Sequence, residues 1–446
     1  MVRVLALDVG TSSIRAQVHD EAGEPAGEAV SRKYRTDDAE EIVDAVADAI
    51  EEALAGGRVD AVGASTFGHS LLVLDERGRP ASPLYGWRDT RSEDAASWLK
   101  RRLDGEAVHA RTGAYLHSSY WPAKLAWLGE AEPELFRSAA RFASFADYLY
   151  ERLTGERPAS SASLASGTGL LDLASGDWDE ELLETLGLDR ERLPPLGDEP
   201  VGDDPAWSPS LADGACSNLG AGCVSRERAA LMVGTSGAYR TLYETETPKP
   251  RPGLFLYRVD GRRVLDGGAL SDGGNVHAWL DETLGADPDE ESLAERDPGD
   301  HGLTFLTLLG GERSPGWRAH VRGAIRGLSF ETTRRDLRQA ALEGVAFRFA
   351  AVADLLPEVE EVVATGGALV RSPAWCQLMA DALARPITLS AVDEASLRGA
   401  ALATLERLGK RAAEAPLGQA FEPRPDRAEV YRLARDRDRE LYDAVT

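Results

Sequence analysis

Two short segments share the phrase Val-Gly-Thr-Ser, and each is followed by an arginine. The first is VGTSSIR, from Val9 to Arg15, and the second is VGTSGAYR, from Val233 to Arg240. Glycine lets the backbone approach a ligand closely, and consecutive N–H groups with small hydroxyls on a tight turn form a donor surface that suits phosphate oxygens. One turn lies near the start of the chain and the other near its middle. The repeat therefore predicts two turns that hold one polyphosphate between them.

The other common phosphate motifs are absent from the sequence. It contains no GxxxxGK[ST] motif and no GxGxxG between a strand and a helix, which disfavours a P-loop or dinucleotide site. A third loop, in VVATGGALVRSP, follows a strand with Gly366 and Gly367 and then begins a helix, with Ser372 as the expected N-cap and Pro373 in the first turn. Paired glycines would let a flat nucleoside lie against the backbone, although a simple strand-to-helix turn explains this loop equally well.

The elements that must position these turns repeat along the chain. Residues 2–9 form a buried-strand pattern, and the segment after GTSS predicts a second strand, so that the turn joins a hairpin. An amphipathic helix over residues 40–54 and a strand over 59–67 follow. A second cycle of hairpin, helix and strand begins near Ala229. This order differs from the βαβ order of a dinucleotide-binding sheet.

Length and composition fit a two-domain α/β protein. The chain has 446 residues, of which 43% are hydrophobic and 28% charged, so we expect two domains, at 1–227 and 228–446. Residues 92–200 are rich in helix signals and are expected to cover the first domain. The formal net charge of -25 repels nucleic acid and anionic membranes. Neither a membrane-spanning segment nor a signal sequence is recognisable, so we expect a cytoplasmic protein with reduced cysteines.

Taken in order, the motifs resemble the FGGY family of carbohydrate kinases. They are LDVGTSSIRA, STFGHSLLVLDERGRP with WRDTR, DGACSNLGAG, MVGTSGAYR, GGERSPGW, RQAALEGVAFRF, and ATGGALVRSPAWCQLMADAL with EASLRGAALATLERLG. The resemblance covers essentially the whole chain. It implies an α/β fold of two actin-like, ribonuclease-H-like domains, with ATP in the cleft between them and Mg²⁺ as cofactor.

The resemblance also implies roles for residues around the nucleotide. Asp8, at the end of the first strand, matches the acidic residue that holds Mg²⁺, although it also reads as a turn-capping residue. The positions matching the family's nucleotide contacts are Gly10, Thr11, Ser12, Ser13 and Arg15 in the first turn, Gly234, Thr235, Ser236 and Gly237 in the second, and Gly310, Gly311, Gly366, Gly367 and Ala368 beyond them.

Asp213 matches the catalytic base of the family, in an Asp-Gly element before the second turn. Phosphoryl transfer needs little covalent help from the protein, because the metal ion and the loop N–H groups neutralise the transferred group. One carboxylate that orients the acceptor hydroxyl and takes its proton is therefore sufficient. From the residues alone, an aspartate before a glycine reads as a turn residue.

Five residues are expected to face the sugar. His69 matches a family position that reaches the sugar, although a lone histidine more often has a structural role. In WRDTR, the side chains of Trp87, Asp89 and Arg91 alternate along an expected extended segment and would project to one face. An aromatic plane, a carboxylate and a guanidinium suit a polyol. Tyr120 is expected in the same pocket, or else in the core.

The resemblance is greatest to the gluconate-kinase branch, and we expect an ATP-dependent sugar or sugar-acid kinase with gluconate as the first substrate. Arg91 would pair with a sugar-acid carboxylate, but Asp272 and Glu331 replace residues commonly Asn and His and add negative charge near the expected cleft. A xylulose, ribulose or polyol kinase is the alternative. From other classes, the alternatives are a chaperone-like ATPase and a non-catalytic sugar sensor. Family members are often homodimers. The residues alone determine neither the oligomeric state of this protein nor which hydroxyl is phosphorylated.

Overall fold

The computed structural model describes residues 2–287 and 289–446. In the first half of the chain, a mixed sheet forms around the strand that precedes the first turn. Every residue of that strand is buried, as the apolar run VLALDV requires. The strands of this half are β1 (Val4–Val9), β2 (Ser13–His19), β3 (Val30–Lys33), β4 (Ala61–Thr66), β5 (Leu72–Leu74), β6 (Arg141–Ala143), β7 (Leu171–Asp172), β8 (Asp177–Trp178), β9 (Ala206–Trp207) and β10 (Leu211–Ala212).

Helices cover this sheet and its edge. The first helix carries its apolar residues at helical spacing, and Asp38 caps it by accepting the N–H groups of Glu40 and Glu41. The helices of this half are α1 (Ala39–Leu54), α2 (Glu93–Arg102), α3 (Gly105–Thr112), α4 (Trp121–Ala131), α5 (Pro133–Ser138), α6 (Phe145–Thr154), α7 (Ala162–Gly167), α8 (Glu180–Leu186) and α9 (Asp213–Gly220). A 3₁₀ turn spans Arg190–Arg192.

The second half builds another sheet from β11, which begins at Arg228. Its strands are β11 (Arg228–Val233), β12 (Gly237–Glu244), β13 (Phe255–Arg258), β14 (Arg263–Leu270), β15 (Thr304–Leu306), β16 (Ala324–Arg326), β17 (Glu361–Thr365), β18 (Ile387–Ser390) and β19 (Leu417–Phe421). Its helices are α10 (Gly274–Leu284), α11 (Arg334–Ala353), α12 (Gly367–Arg371), α13 (Pro373–Leu383), α14 (Ala395–Arg407) and α15 (Pro425–Val445), with a 3₁₀ turn at Glu290–Ala294.

The two sheets repeat one topology. The first has the order β3-β2-β1-β4-β10, and the second contains β14-β12-β11-β17-β18 in the matching places. In both, the hairpin strands pair antiparallel and the central strand pairs parallel with the strand that follows the first crossover helix. The predicted fold of two related α/β domains is therefore confirmed.

The point in the sequence where the second sheet begins does not separate the two halves of the chain in space. Helix α14 belongs to the second half of the sequence but packs on β1 and β4 of the first sheet. The contact is close, since a Cβ added to Gly63 of β4 would lie 2.1 Å from Oγ1 of Thr404 in α14. Helix α14 also crosses α9 at two glycines, Gly399 and Gly220. Because α9 begins at Asp213, this crossing connects the second half of the chain to the base of the site described next.

Candidate active site

The two Gly-Thr-Ser turns each close a hairpin, but the turns differ in length. In the first, the N–H of Gly10 donates to the carbonyl of Ser13 at 2.9 Å, and Val9 pairs with Ile14. In the second, the N–H of Gly234 donates to the carbonyl of Ser236 at 3.0 Å, and Val233 pairs with Gly237. The second turn is therefore one residue shorter than the first.

Two differences separate the arginines that follow the turns: the second turn is one residue shorter, and one more residue stands between its Gly-Thr-Ser and its arginine. Arg15 lies opposite Asp8, one pair away from the end of its ladder, whereas Arg240 lies opposite Ala230, three pairs away from the end of its own. Arg15 lines an open cleft, and Arg240 lines an enclosed cavity. The two arginines are therefore not structural equivalents, and Arg15, the one expected at the nucleotide, is the one that lines the cleft.

The open cleft has a volume of about 1000 Å³ and receives residues from both halves of the chain. Five residues expected at the nucleotide line it: Arg15, Gly234, Thr235, Gly367 and Ala368. Gly366, which has a φ of +88°, ends β17 so close to the second turn that an added Cβ would lie 2.6 Å from the carbonyl oxygen of Val233. Glycine is required there because both the left-handed φ and the close backbone contact exclude a side chain.

Other residues expected at the nucleotide have different surroundings. Thr11 and Ser12 are exposed at the tip of the first turn, with Gly10 and Ser13 partly buried beside them. Ser236 and Gly237 line the enclosed cavity instead of the cleft. Gly310 lines a third cavity, and an added Cβ on Gly311 would lie 2.3 Å from the carbonyl oxygen of Ala319. The structure thus places Gly310 and Gly311 outside the cleft walls, contrary to the expectation.

The third loop has the predicted cap. Ser372 accepts the N–H of Trp375 at 3.3 Å, and Pro373 is the first residue of α13. The loop also contains a short helix, α12, that the sequence did not predict. Ser372 donates its hydroxyl to Glu290 at 2.8 Å, which ties the loop to the opposite wall of the cleft.

The enclosed cavity has a volume of about 120 Å³ and lies between the sheets. Four of the six residues expected at the base and the sugar line it: His69, Trp87, Tyr120 and Asp213. Residues that the sequence analysis did not assign complete the wall, and they include Tyr257, Arg240, Arg313 and Trp317. Among its lining residues, Asp213 is the one carboxylate, facing two guanidinium groups.

Asp213 is the first residue of α9 and remains accessible from the cavity. Its carboxylate accepts the N–H of Gly214 at 2.7 Å. Desolvation by the surrounding protein raises the pKa of the Asp213 carboxyl, while the charges of Arg240 and Arg313 lower it. A carboxylate with a raised pKa is a stronger acceptor for a hydroxyl proton than an ordinary aspartate.

Asp8 lies at the end of β1, on the nucleotide side of the same region. It accepts the hydroxyl of Ser65 at 2.8 Å and faces Arg15 at 3.3 Å. Burial raises the pKa of Asp8 to about 6, and the charge of Asp213 adds to this effect. Two acidic groups that repel each other in a desolvated setting fit a bound divalent cation.

The predicted substrate segment WRDTR is a turn and not an extended strand. The N–H of Asp89 donates to the carbonyl of Gly86 at 3.2 Å. Asp89 accepts the Nε of Arg91 at 2.9 Å, and the guanidinium of Arg91 lies over the ring of Trp127. The prediction that Trp87, Asp89 and Arg91 share one face is therefore wrong. Trp87 faces the cavity, whereas Asp89 and Arg91 pair with each other beside it.

His69 is held in one tautomer by its contacts. Its Nδ1 lies 2.5 Å from the carbonyl oxygen of Gly167, so that nitrogen carries the proton and donates it. Burial lowers the pKa of His69 to about 3, which keeps the ring neutral and leaves Nε2 as an acceptor. The backbone of His69 has a φ of +63°, and Lys124 donates to its carbonyl at 2.6 Å. The site therefore offers a fixed acceptor to a sugar hydroxyl.

Tyr120 lies in the cavity wall, and the neighbouring Trp121 lies in the core. The hydroxyl of Tyr120 is hydrogen-bonded to that of Tyr257, and its ring stands edge-on to His69 at 5.0 Å. Trp121 donates its indole N–H to the carbonyl of Ser70 at 2.8 Å. Tyr120 was expected either in the substrate pocket or in the core, and both expectations are partly met. Its ring is buried, and the edge of the ring faces the cavity.

Asp272 and Glu331, the residues expected to add negative charge, are placed differently. Asp272 is buried and accepts the N–H groups of Leu309 at 3.0 Å and Gly310 at 3.2 Å. Burial raises the pKa of Asp272 to about 7. Glu331 is exposed in the turn before α11. Neither residue lines the cleft or the enclosed cavity. The charge of Arg313 in the cavity wall lowers the pKa of Asp272, against the effect of burial.

Sequence signals for the missed residues are weak. Arg313 and Trp317 lie in GGERSPGW, where only the leading glycines were assigned, and Arg240 was noted only as part of the repeat. Their approach to Asp213 depends on long-range packing between the sheets. Because Arg313 directly follows Glu312, the local sequence does not mark it as a cation without a counter-ion.

Comparison with known proteins identifies matches along both halves of the chain. The family model "FGGY family of carbohydrate kinases, N-terminal domain" matches residues 3–199, and the corresponding C-terminal domain matches residues 229–405. The gluconokinase of Bacillus subtilis (strain 168) is 30% identical over 452 residues, covering 91% of this chain and 88% of the relative.

Two solved structures are similar along their whole length. The gluconate kinase of Lactobacillus acidophilus has a TM-score of 0.90 and 27% identity, covering 99% of this chain and 98% of that chain. A ligand-bound xylulose kinase from the same organism also has a TM-score of 0.90 and 27% identity, covering 100% and 98%. Fold and site together define a two-domain sugar kinase.

The chain belongs to the FGGY family of carbohydrate kinases. It is an ATP-dependent phosphotransferase with an alcohol group of a carbohydrate as acceptor, and its carbohydrate is a sugar or a sugar acid. Within residues 2–287 and 289–446, no helix is long and apolar enough to cross a bilayer.

Proposed function

We propose that the enzyme phosphorylates a sugar acid, with gluconate as the first candidate. The observation that carries this proposal is the charge of the enclosed cavity, where the guanidiniums of Arg240 and Arg313 face the single carboxylate of Asp213. Two guanidiniums facing one carboxylate leave an excess of positive charge on the cavity wall, and an anionic substrate would compensate it. The net charge of -25 on the chain makes this local excess of positive charge unusual.

In the proposed reaction, Asp213 orients the acceptor hydroxyl and takes its proton. The hydroxyl oxygen forms a bond to the γ-phosphorus of ATP, and the bond from that phosphorus to the bridging oxygen of ADP breaks. The N–H groups at the tips of the two turns, at Thr11 and Ser12 and at Thr235 and Ser236, hold the phosphates, and Arg15 adds positive charge beside them. The cleft walls at Gly366, Gly367 and Ala368 hold the nucleoside. His69 accepts from a second sugar hydroxyl, and Trp87 and Tyr120 enclose the carbon chain.

Asp8 is proposed to hold Mg²⁺, which when bound would neutralise charge on the phosphates. In the part of the chain that the structure describes, no three His, Cys, Asp or Glu side chains cluster as a metal site. The phosphates of ATP and water would therefore supply most of the ligands, as magnesium commonly allows. The desolvated carboxyl of Asp8, beside Asp213, fits this role.

The proposal includes the organisation of the molecule. The domains 1–227 and 228–446 would close over the cleft, so that water is excluded as a competing acceptor. We place the enzyme in the cytoplasm as a homodimer. In support of an association surface, Leu328 and Phe330 project from one loop with exposed side chains. Light scattering of the purified protein measures the oligomeric state directly.

A ketose kinase is the second candidate, favoured by the similarity to the xylulose kinase of Lactobacillus acidophilus. Release of ADP measured with ATP, Mg²⁺ and one acceptor at a time separates the candidates, with gluconate, xylulose, ribulose and glycerol as acceptors. We expect the highest kcat/KM with gluconate. A higher value with a neutral sugar would reject the sugar-acid proposal. ADP release independent of any acceptor would favour an ATPase, and sugar binding without turnover would favour a sensor.

A further inference from the structure

A third cavity, of about 240 Å³, adjoins the enclosed cavity. The two share three wall residues, Trp87, Ser119 and Arg313. The third cavity also shares Asn275 with the nucleotide cleft, and its walls come from both halves of the chain. A substrate that fills the enclosed cavity and continues past Trp87 would enter this space with its far end.

His117, which lines the third cavity, presents a donor without an acceptor. Its Nδ1 accepts the backbone N–H of Ser119 at 3.1 Å, so the proton of the neutral ring lies on Nε2. The side chain is more than nine-tenths buried, with a residue exposure of 7%, and Nε2 has no hydrogen-bond partner among the described residues. Such a buried N–H is costly unless a ligand supplies an acceptor.

Arg313 presents a second donor at the wall that the cavities share. Its Nη2 donates to the carbonyl of Leu270 at 2.6 Å, and its guanidinium stacks on Trp87 at 4.6 Å. These two contacts fix the plane of the group. Its buried Nε–H has no acceptor within residues 2–287 and 289–446. The guanidinium therefore keeps a positive charge and an unused N–H that can donate to an incoming group.

The acidic groups of the third cavity lie on the same walls but are less available. Glu312 accepts the hydroxyl of Tyr442 at 2.7 Å, and burial raises the pKa of Glu312. Glu93 is partly exposed, so its carboxylate is not held next to the buried N–H groups of His117 and Arg313. Arg88 adds an exposed positive charge at this cavity. An anionic group would thus be stabilised at Arg313 and His117, and not in the middle of the cavity.

We propose that Arg313 and His117 bind the carboxylate of the acid substrate at the wall between the two cavities. The acid then lies with its reacting hydroxyl at Asp213 and its carboxyl end past Trp87. Arg313 and His117 would be residues that determine specificity for an acid over a neutral sugar. This inference rests on the proposed sugar-acid activity and adds the position of the carboxylate.

The test compares gluconate with gluconamide, in which a neutral amide replaces the carboxylate. We expect Arg313→Gln to lower kcat/KM for gluconate by about 100-fold, mainly through KM, as loss of a charged hydrogen bond does. The loss with gluconamide should stay below about 5-fold, since the missing interaction depends on charge. His117→Phe keeps a ring and removes Nε2–H, and should cost about 10-fold with gluconate.

Arg77→Gln is the control, because Arg77 is exposed and lines neither of the two cavities, and we expect less than about 3-fold change with either substrate. Equal losses on gluconate and gluconamide in the Arg313 variant, or none on either, would overturn the inference. Thermal unfolding with ADP reports whether each variant folds and binds nucleotide. If Arg313→Gln does not fold, His117→Phe decides, and an equal effect on both substrates rejects the inference. Wild-type enzyme that phosphorylates neutral sugars but no acid would reject the proposed function itself.

Discussion

Arg240 packs against Gly214, the residue that follows Asp213, because Gly214 has no side chain. A Cβ added to Gly214 would lie 2.4 Å from Nη1 of Arg240. Arg240 is buried, and two of its nitrogens have no partner among the described residues. Its charge lowers the pKa of Asp213, against the effect of burial. The glycine thus sets the electrostatic surroundings of the proposed base.

Gly214→Ala should displace Arg240 and lower kcat by about 10- to 100-fold, because a small displacement of a catalytic group has large effects on rate. Gly129→Ala is the control, since Gly129 in α4 has no atom within 4 Å of an added Cβ. Steady-state kinetics of both variants checks the prediction. Wild-type kcat in Gly214→Ala would mean that the position of Arg240 is unimportant for turnover.

Asp213→Asn tests the base directly. The amide keeps the shape of the side chain but cannot take a proton, so we expect kcat to fall by about 10³-fold or more. Nucleotide affinity, measured by calorimetry with ADP and Mg²⁺, should stay within about 3-fold. Asp48→Asn, on the exposed side of α1, is the matched control. Turnover at the wild-type rate in Asp213→Asn would remove Asp213 from the mechanism.

The pKa of Asp8 gives a prediction for stability. Burial raises this pKa from 3.8 to about 6, so the folded protein binds the proton more tightly than the unfolded chain does. Asp8 therefore destabilises the fold as pH rises from about 4 to 6, and above pH 6 the full penalty, about 3 kcal/mol, is present. Urea unfolding in EDTA should show that Asp8→Asn is more stable than wild type at pH 8, with a smaller difference at pH 5.

The same substitution should abolish the effect of Mg²⁺. In the proposed role of Asp8, Mg²⁺ would compete with the proton for its carboxylate, so the apparent Mg²⁺ affinity should fall about 10-fold for each pH unit below 6. Asp8→Asn should lose most activity while gaining stability at pH 8. A variant that is less stable than wild type at pH 8 would contradict the assignment of Asp8 as a strained, desolvated acid.

The turn at WRDTR predicts different effects for two neighbouring residues. Trp87→Leu removes a wall of two cavities and the surface on which Arg313 stacks, so KM for the carbohydrate should rise about 10-fold or more. Arg91→Gln breaks a half-exposed pair with Asp89, outside the cavity walls, and KM should change less than about 3-fold. The ratio of the two KM values is the measurement. A larger effect for Arg91 would restore it as a substrate residue.

The sequence predicted the repeated fold well because local patterns determine it. The buried strand before each turn, and the amphipathic helix at Ala39–Leu54, are visible in hydrophobic spacing alone. The position of Arg240 was not predictable in this way. The second turn is one residue shorter than the first, and this changes the register of its hairpin while the sequence phrase stays nearly the same.

The cavity walls required long-range information. Arg313 reaches Trp87 across more than 200 residues of chain, and no local pattern reports such a contact. WRDTR was expected to be extended because its residue types alternate, but the hydrogen bond from Asp89 to Gly86 closes it into a turn. The role of Asp213 could be predicted only through the family resemblance, because the Asp-Gly pattern around it is typical of a turn.

The crossing of α9 and α14 predicts a link between stability and turnover. An added Cβ on Gly399 would lie 1.9 Å from the carbonyl oxygen of Cys216, and one on Gly220 would lie 1.8 Å from that of Ala395. Both contacts are with backbone, which has little freedom to move away. Gly399→Ala should therefore lower the free energy of unfolding by about 3 kcal/mol.

Because α9 begins at Asp213, separating the two helices should also move the base. We expect kcat of Gly399→Ala to fall about 10-fold at a temperature where the variant is still folded. Gly105→Ala, at the first residue of α3 with no atom within 4 Å of its added Cβ, is the control for both measurements. Lower stability with unchanged kcat would show that the crossing supports the fold without positioning Asp213.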